Sequence, residues 1–186
     1  MTAKLFLIRH AETDSAGTFC GHSDPPINAR GRQQIDALLN ALEQHEIDIV
    51  YSSDLQRARM TAEAIAAFFA APLRTTPNLR EIGFGDWENS TWKQIEQRDP
   101  TFAKQWVAEY PRLSAPNGED FMAFEGRTLS EFDALAATNR NAAVVTHGGV
   151  LRVMLTRRCG VSDERAWLDT KAYCSVFIYP NGGPEL

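Results

Sequence analysis

The fold of this chain is decided by the stretch Leu5-Phe6-Leu7-Ile8-Arg9-His10-Ala11-Glu12-Thr13. Four consecutive apolar residues end abruptly in Arg9 and His10. An apolar run this short is typical of a strand buried on both faces, as in a parallel sheet. Ligands bind at the carboxyl ends of the strands in open α/β sheets, so an arginine and a histidine placed there predict an anion site. Taken alone, the same pair can equally be a surface arginine and a structural histidine.

A second stretch of this kind lies near the end of the chain. Residues 142–151 read AAVVTHGGVL, which predicts a buried strand, then His147, then a helix that begins at two glycines. Glycines let backbone N–H groups approach a ligand closely, and a helix N-terminus directs its unpaired donors to the same place. The pattern therefore predicts a second histidine at the same edge of the sheet.

A third unit lies between these two stretches. The run from Ile47 to Tyr51 predicts a strand, and Ser52-Ser53-Asp54 leads into a helix with apolar residues at helical spacing. Arg57 and Arg59 fall in its first turns, where the helix N-terminus favours anions. Each of these arginines, considered by itself, is more often a solvated residue on a helix surface.

The remaining pattern alternates helices with extended segments. Asn28 is a candidate N-cap for a first helix, and a Pro/Gly tail ends the chain. Alternation of this kind predicts an α/β fold, a three-layer α/β/α sandwich with a mostly parallel central sheet, in a single domain over residues 1–186. The other predicted elements are an extended piece at 73–76, an ordered loop at 79–88, helices at 92–97, 101–109 and 121–135, and a last strand at or near an edge at 175–179.

The composition excludes several classes of protein. The chain has 186 residues and a net charge of −5, which disfavours nonspecific binding to nucleic acid or to an anionic membrane. We find no signal peptide and no apolar run long enough to span a bilayer. The three cysteines, Cys20, Cys159 and Cys174, form neither a paired framework nor a CxxC motif, so we expect a cytoplasmic protein with inert thiols and no structural zinc.

The convergence of cations on one edge indicates the chemistry. Two arginines offer planar, bidentate donors that match phosphate oxygens, so a phosphoester is the ligand that fits best. A neutral imidazole is a competent nucleophile near neutral pH, and such chemistry needs no metal when arginines neutralise the phosphoryl oxygens. A metallohydrolase with His10, His22 and His147 as ligands is an alternative, which the excess of nearby arginines disfavours.

Taken together, the motifs resemble the histidine phosphatase (phosphoglycerate mutase-like) superfamily, over nearly the whole chain. Several motifs in the family's order are a strong signal, whereas an isolated Arg-His pair is not. The motifs are Leu7-Ile8-Arg9-His10-Ala11-Glu12-Thr13, Ser52-Ser53-Asp54-Leu55-Gln56-Arg57-Ala58, the stretch LREIGFGDWE at 79–88, and Val145-Thr146-His147-Gly148-Gly149.

The resemblance implies a role for each site residue. His10 is the expected nucleophile that becomes phosphohistidine, with one ring nitrogen held by a backbone carbonyl. Arg9, Arg57 and His147 are expected to bind the phosphoryl group, with no cofactor and no metal. Glu81 is the expected proton donor and acceptor because it occupies the family's position. Spacing alone leaves Glu12, Asp86 and Glu88 as rival carboxylates, and His22 and His45 are expected at the surface.

Within the superfamily, the loops look most like those of the α-ribazole phosphatases, which remove a 5′-phosphate during assembly of the nucleotide loop of cobalamin. The alternatives are a broad-specificity phosphatase of small molecules, a phosphoglycerate mutase-type phosphotransferase, and an inactive protein that binds phosphate ligands. The chain departs from the family at Ala11, where glycine is usual, and by lacking an asparagine after Thr13 that often contacts the phosphate. The aromatic residues Phe84, Trp87 and Trp92 are expected to pack a loop more than to line a pocket.

Overall fold

The apolar run near the start forms a central strand of the sheet. In the computed structural model, which describes residues 3–180, the strands are ordered β3-β2-β4-β1-β5. The pairings β1–β4, β4–β2 and β2–β3 are parallel, and β5 pairs antiparallel with β1. The prediction of a mostly parallel sheet is confirmed. The strands are β1 (Lys4–Arg9), β2 (Ile49–Ser53), β3 (Leu73–Thr76), β4 (Ala142–Thr146) and β5 (Val176–Pro180).

Helices cover both faces of this sheet. Helices α1 and α2 pack on one face, and α5 and α6 pack on the other, which confirms the three-layer α/β/α sandwich. Helix α7 had no predicted counterpart. The helices of the described residues are α1 (Ala29–Leu42), α2 (Gln56–Phe69), α3 (Trp92–Arg98), α4 (Pro100–Glu109), α5 (Phe121–Ala136), α6 (Gly148–Arg158) and α7 (Asp163–Asp169).

The side chains of β1 explain why its sequence is continuously apolar. Successive side chains of a strand point to opposite faces of the sheet. Leu5 and Leu7 enter the core beneath α5 and α6, whereas Phe6 and Ile8 enter the core beneath α1 and α2. Each face is therefore buried, and a polar residue at any of these positions would face a helix layer.

Strand β2 lies two residues later than the predicted run from Ile47 to Tyr51. Ser52 pairs with Val145 of β4 and with Thr75 of β3, so the ladder continues through both serines. Buried hydroxyl groups are tolerated when they find hydrogen-bond partners. Ser52 Oγ donates to the carbonyl of Ser53 at 2.7 Å, which provides such a partner.

The other element predictions agree closely with the structure. Asn28 caps α1, because its side chain accepts a hydrogen bond from the backbone N–H of Gly31. The segment at 79–88 is an ordered loop that follows a short 3₁₀ turn, Pro77–Leu79, and contains a second one, Gly85–Trp87. The predicted tail at 181–186 lies outside the described residues. Among residues 3–180, no helix is both long and apolar enough to cross a membrane.

Candidate active site

Two buried imidazoles lie side by side where β1 and β4 end. Arg9 pairs with Thr146 in the parallel ladder, so the residues that follow them, His10 and His147, come next to each other. Their ring centroids are 5.0 Å apart. His10 is 6 % exposed and His147 is 1 % exposed. The sequence prediction that both histidines meet at one edge of the sheet agrees with this geometry.

The proton on His10 is placed by the backbone. Nδ1 lies 2.7 Å from the carbonyl oxygen of Ala11. A carbonyl oxygen only accepts, so Nδ1 carries the proton and the Nε2 lone pair is left free. The expected anchoring of one ring nitrogen by a carbonyl is thus present, and alanine at position 11 supplies it as well as glycine would.

His147 is held by a serine of the neighbouring strand. Its Nε2 lies 2.9 Å from Ser53 Oγ, and that oxygen also accepts the backbone N–H of Leu55 at 3.3 Å. Donation of the Ser53 hydroxyl proton to Nε2 would leave the His147 proton on Nδ1. Within residues 3–180, the buried Nδ1 atom has no hydrogen-bond partner.

Arg57 is the largest fully buried side chain, at 1 % exposure. Its Nη1 donates to the carbonyl of Ser23 at 2.6 Å and its Nη2 donates to the carbonyl of Gly21 at 2.8 Å. The Gly/Ser/Pro-rich loop after β1 therefore fixes this guanidinium. By contrast, Arg59 pairs with Glu63 at 3.6 Å on the exposed side of the same helix, so only the first of these two arginines belongs to the site.

Arg9 is fixed by the segment that follows α7. Its Nη1 donates to the carbonyls of Thr170 at 3.0 Å and Lys171 at 2.6 Å. The guanidinium carbon lies 4.1 Å from the ring centroid of Tyr173, whose ring is also 5.6 Å from that of His10. In the described part of the chain, the Nε atoms of Arg9 and Arg57 are both buried without a partner. These two Nε groups remain as donors for a ligand.

The carboxylate of Glu81 is positioned by two backbone groups. Oε1 accepts the N–H of Ile82 and Oε2 accepts the N–H of Gly149, each at 3.0 Å. A Cβ atom at position 149 would overlap Glu81 Oε1, so this approach requires the glycine. His22 Nε2 donates to the Glu81 carbonyl at 2.9 Å, which gives this exposed histidine a contact that the sequence did not indicate.

The rival carboxylates lie elsewhere. Glu12 is within 3.7 Å of Arg30, and Glu88 accepts the Ser23 hydroxyl at 2.7 Å. Asp86 accepts a hydrogen bond from the side chain of Asn117 at 2.9 Å. None of these three lines the main cavity, whereas Glu81 does. Of the four candidate carboxylates, Glu81 is thus the one that lines the cavity.

Burial and neighbouring cations keep both imidazoles neutral. Burial is the main cause that lowers the pKa of His10 well below its ordinary value, and the charges of Arg57 and Arg9 lower it further. The pKa of His147 is also far below its ordinary value, first through burial and then through Arg57. A neutral imidazole with a free lone pair can attack an electrophile.

The site opens into a cavity of about 880 Å³. Arg9, His10, Arg57 and Glu81 line it; His147 is not among the lining residues, but its ring centroid is 5.0 Å from that of the lining residue His10. Phe84 and Trp92 line the cavity as well as packing, whereas Trp87 only packs, so the expectation for these aromatics holds in part. The aromatic residues of the wall are Phe19, Phe84, Trp92, Trp106, Tyr110, Phe121, Phe124, Trp167 and Tyr173.

The thiols of the three cysteines are not activated, and His45 lies outside the cavity. Cys20 lines the cavity, and burial raises the pKa of its thiol. Burial also raises the pKa values of Cys159 and Cys174 to about 12. His45 is half-buried against Phe6, with ring centroids 5.0 Å apart. Among residues 3–180, no three His, Cys, Asp or Glu side chains cluster in a way that could hold a metal ion.

Comparison with known proteins identifies the class. The model of the histidine phosphatase superfamily (branch 1) matches residues 5–184. The adenosylcobalamin/alpha-ribazole phosphatase of Escherichia coli (strain K12) is 34% identical over 172 residues, which cover 88% of this chain and 83% of that protein. A metal-independent phosphoserine phosphatase of Arabidopsis thaliana is 32% identical over 161 residues, covering 83% of this chain and 68% of that one.

Solved structures show the same relationship. The crystal structure of the alpha-ribazole phosphatase from Shigella flexneri matches with a TM-score of 0.81 and 32% identity, covering 91% of this chain and 86% of that chain. The chain therefore belongs to the histidine phosphatase superfamily. It is a metal-independent phosphatase that acts on a small-molecule phosphate ester.

Proposed function

We propose that the chain hydrolyses phosphomonoesters through a phosphohistidine on His10. The observation that carries this proposal is the free Nε2 lone pair of a neutral imidazole near two arginines whose Nε atoms are buried. The Nε atoms of Arg9 and Arg57 and the Nδ1 atom of His147 are the groups that we assign to the phosphoryl oxygens. Donors fixed in advance stabilise charge that develops in the transition state, because they need no reorganisation.

The first chemical step transfers the phosphoryl group to the enzyme. His10 Nε2 attacks phosphorus, the N–P bond forms, and the bond from phosphorus to the alcohol oxygen breaks. Glu81 gives its proton to that oxygen, so the alcohol leaves neutral. A general acid positioned in this way contributes roughly two to four powers of ten in rate.

The second step returns the enzyme to its starting state. Glu81 takes a proton from water, the resulting hydroxide attacks phosphorus, and the N–P bond breaks. The products are inorganic phosphate, neutral His10 and protonated Glu81, which balances the reaction as hydrolysis of a monoester. Each Glu81 oxygen accepts one backbone N–H, which fixes the carboxyl group while leaving a lone pair for the proton.

For the substrate we propose α-ribazole 5′-phosphate, used in cobalamin biosynthesis. Relatives that carry this activity in their names are 34% and 32% identical to the chain. The aromatic wall of the cavity fits a planar base, since aromatic rings stack on one another. The three free cysteines agree with a cytoplasmic setting, and the net charge of −5 disfavours nucleic acid and membranes as partners.

The nucleophile is tested with a His10→Ala variant. We expect kcat for p-nitrophenyl phosphate to fall by about three powers of ten or more, because the covalent route is lost. Rapid quenching of the wild type with ³²P-labelled substrate should give a protein-bound label that is acid-labile and base-stable. The His45→Asn variant, changed outside the cavity, should keep both the rate and the label. Unchanged hydrolysis by His10→Ala would refute the mechanism.

The substrate is tested by comparing kcat/KM values, because this ratio defines discrimination between substrates. We expect α-ribazole 5′-phosphate to exceed adenosine 5′-monophosphate and 3-phosphoglycerate. Equal values for all three would indicate a broad-specificity phosphatase and would contradict the proposed substrate while leaving the phosphohistidine mechanism in place.

A further inference from the structure

The charge of Arg57 is buried without a direct ion pair. The side chain is 1 % exposed, and no carboxylate of residues 3–180 forms a salt bridge with it. Burying a charge is costly unless hydrogen bonds or an opposite charge compensate it. The carbonyls of Gly21 and Ser23 supply hydrogen bonds at 2.8 and 2.6 Å. The position of the guanidinium therefore depends on what holds these two carbonyls in place.

The carboxylate of Glu88 holds the segment 21–23 from its other side. Its Oε1 accepts the backbone N–H of His22 at 2.7 Å, and its Oε2 accepts the hydroxyl group of Ser23 at 2.7 Å. Oε1 also accepts the backbone N–H of Phe84 at 3.3 Å. One carboxylate thus joins the segment that binds the arginine to the loop that carries the carboxylate itself.

A single peptide group connects the buried cation with this anion. The carbonyl of Gly21 and the N–H of His22 belong to the same peptide unit. Its oxygen accepts a hydrogen bond from Arg57, and its nitrogen donates one to Glu88. Hydrogen bonds in such a chain polarise one another, and those to charged groups are the stronger ones. The carboxylate therefore makes the Gly21 carbonyl a better acceptor and compensates the buried charge across the peptide.

The close approach of the carboxylate requires glycine at position 21. Gly21 has a φ of +50°, in the left-handed region. A Cβ atom built there would overlap Glu88 Oε1 and would lie 3.0 Å from the backbone nitrogen of Phe84. Any side chain at this position would push the carboxylate away from the peptide that it holds.

Glu88 differs in its contacts from the acidic residue two positions before it. Asp86 is exposed and accepts a hydrogen bond from the side chain of Asn117 at 2.9 Å, away from the segment 21–23. Neither carboxylate lines the cavity, so neither is placed to touch a bound substrate. Any effect of Glu88 on substrate binding therefore has to pass through the residues that it holds.

We propose that Glu88 is a positioning residue for Arg57, which it orients through the segment 21–23. A guanidinium is planar, so hydrogen bonds from both Nη atoms to fixed carbonyls also set the direction of its Nε–H. That Nε is buried and has no partner within residues 3–180. The inference rests on the proposed function, which assigns Arg57 Nε to the phosphoryl oxygens.

The test measures the inhibition constant of inorganic phosphate and kcat/KM for p-nitrophenyl phosphate. We expect Glu88→Ala to raise the inhibition constant roughly 10-fold and to lower kcat/KM roughly 10- to 100-fold, because Arg57 is no longer held in one orientation. Glu88→Gln keeps an oxygen that can accept the N–H of His22, so it should raise the inhibition constant only about threefold. Asp86→Ala is the matched control and should keep both wild-type values.

A double-mutant cycle shows whether the effect passes through Arg57. On the background of Arg57→Met, Glu88→Ala should raise the inhibition constant less than about twofold further. A full 10-fold rise on that background would overturn the inference. If Glu88→Ala does not fold, as judged by circular dichroism, the same comparison with Glu88→Gln decides, since its smaller rise should also vanish on the Arg57→Met background.

The failure of this inference and that of the proposed function give different results. Wild-type constants in folded Glu88→Ala, together with a large loss of phosphate affinity in Arg57→Met, would overturn the inference alone. Equal losses in Glu88→Ala and Asp86→Ala would overturn it too, because they would reflect a general disturbance of the loop. Wild-type phosphate affinity in Arg57→Met would refute the role that the proposed function gives to Arg57, and with it the role of Glu88.

Discussion

At the scale of single residues, the two imidazoles of the site are held by different kinds of partner. The backbone carbonyl of Ala11 orients His10, whereas the side chain of Ser53 orients His147. A carbonyl can only accept, so the first arrangement admits one tautomer. A hydroxyl can donate or accept, so the tautomer of His147 depends on the hydrogen bond that Leu55 gives to Ser53. The tautomer of His10, the candidate nucleophile, is therefore more strictly fixed than that of His147.

The lowered pKa values of both histidines predict a loss of stability in acid. In the unfolded chain, His10 and His147 take up protons below about pH 6.5. In the folded chain they take them up only near their own, lower pKa values. The stabilising contribution is therefore complete above about pH 6.5 and is lost as the pH falls toward the folded pKa values. Each histidine contributes at most about 1.4 kcal/mol per pH unit to this slope.

Urea denaturation at about pH 7 and pH 5 measures the effect. We expect the wild type to lose more free energy of unfolding over this range than the double variant His10→Gln/His147→Gln. A His22→Gln variant, changed at an exposed position, should keep the wild-type slope. Equal slopes in the wild type and the double variant would show that the folded protein protonates these rings readily.

At the scale of elements, Arg127 of α5 ties the Glu81 loop to the rest of the fold. Its guanidinium donates to the carbonyls of Asn78, Arg80 and Glu81 at 2.9, 2.7 and 3.0 Å. Glu119 accepts two further hydrogen bonds from it, at 2.7 and 2.8 Å. One side chain thus fixes the backbone segment that carries the Glu81 side chain.

Replacing Arg127 with Met should lower the rate of catalysis while leaving the affinity for phosphate nearly unchanged. We expect kcat to fall roughly 10- to 100-fold, because small misplacements of a catalytic group cost that much. The inhibition constant of inorganic phosphate should change less than about threefold, since Arg9, Arg57 and His147 come from other elements. The matched control is Arg158→Met, which removes a paired arginine from the far end of α6. A parallel loss of kcat and phosphate affinity would contradict this separation.

The elements also show where sequence reasoning reaches its limit. Arg9, His10, Arg57 and His147 could be placed because each lies at, or next to, the end or start of an element whose hydrophobic pattern is strong. Arg127 reaches a carbonyl 46 positions away in the chain, and no local pattern specifies such a contact. Tyr173 was missed for the same reason, since packing against Arg9 gives it its place. Helix α7 does carry a local signal, the N-cap Ser162 followed by the acidic residues Asp163 and Glu164, which the sequence analysis did not use.

At the scale of the whole molecule, the hydrophobic residues form separate clusters rather than one core. One cluster lies on each face of the sheet. A third, centred on Trp87, joins Ile95, Ala103 and Ala115 to the aromatic rings around the cavity. Rings of Trp92 and Trp106 lie 6.2 and 5.1 Å from that of Trp87. The sequence does not show which of these aromatic residues pack the loop and which line the cavity, because members of one cluster serve both purposes.

This division predicts that core substitutions and Trp87 substitutions act differently. Ile65 is fully buried beneath the sheet, so Ile65→Ala should lower the free energy of unfolding by about 2–5 kcal/mol and speed hydrogen exchange throughout the molecule. Trp87→Ala should speed amide exchange in the segment 84–115 while β1 and β4 keep wild-type protection. Its kcat/KM for α-ribazole 5′-phosphate should fall roughly 10- to 100-fold as the cavity wall shifts. Equal loss of protection in the strands would instead make the aromatic cluster part of one cooperative unit with the sheet.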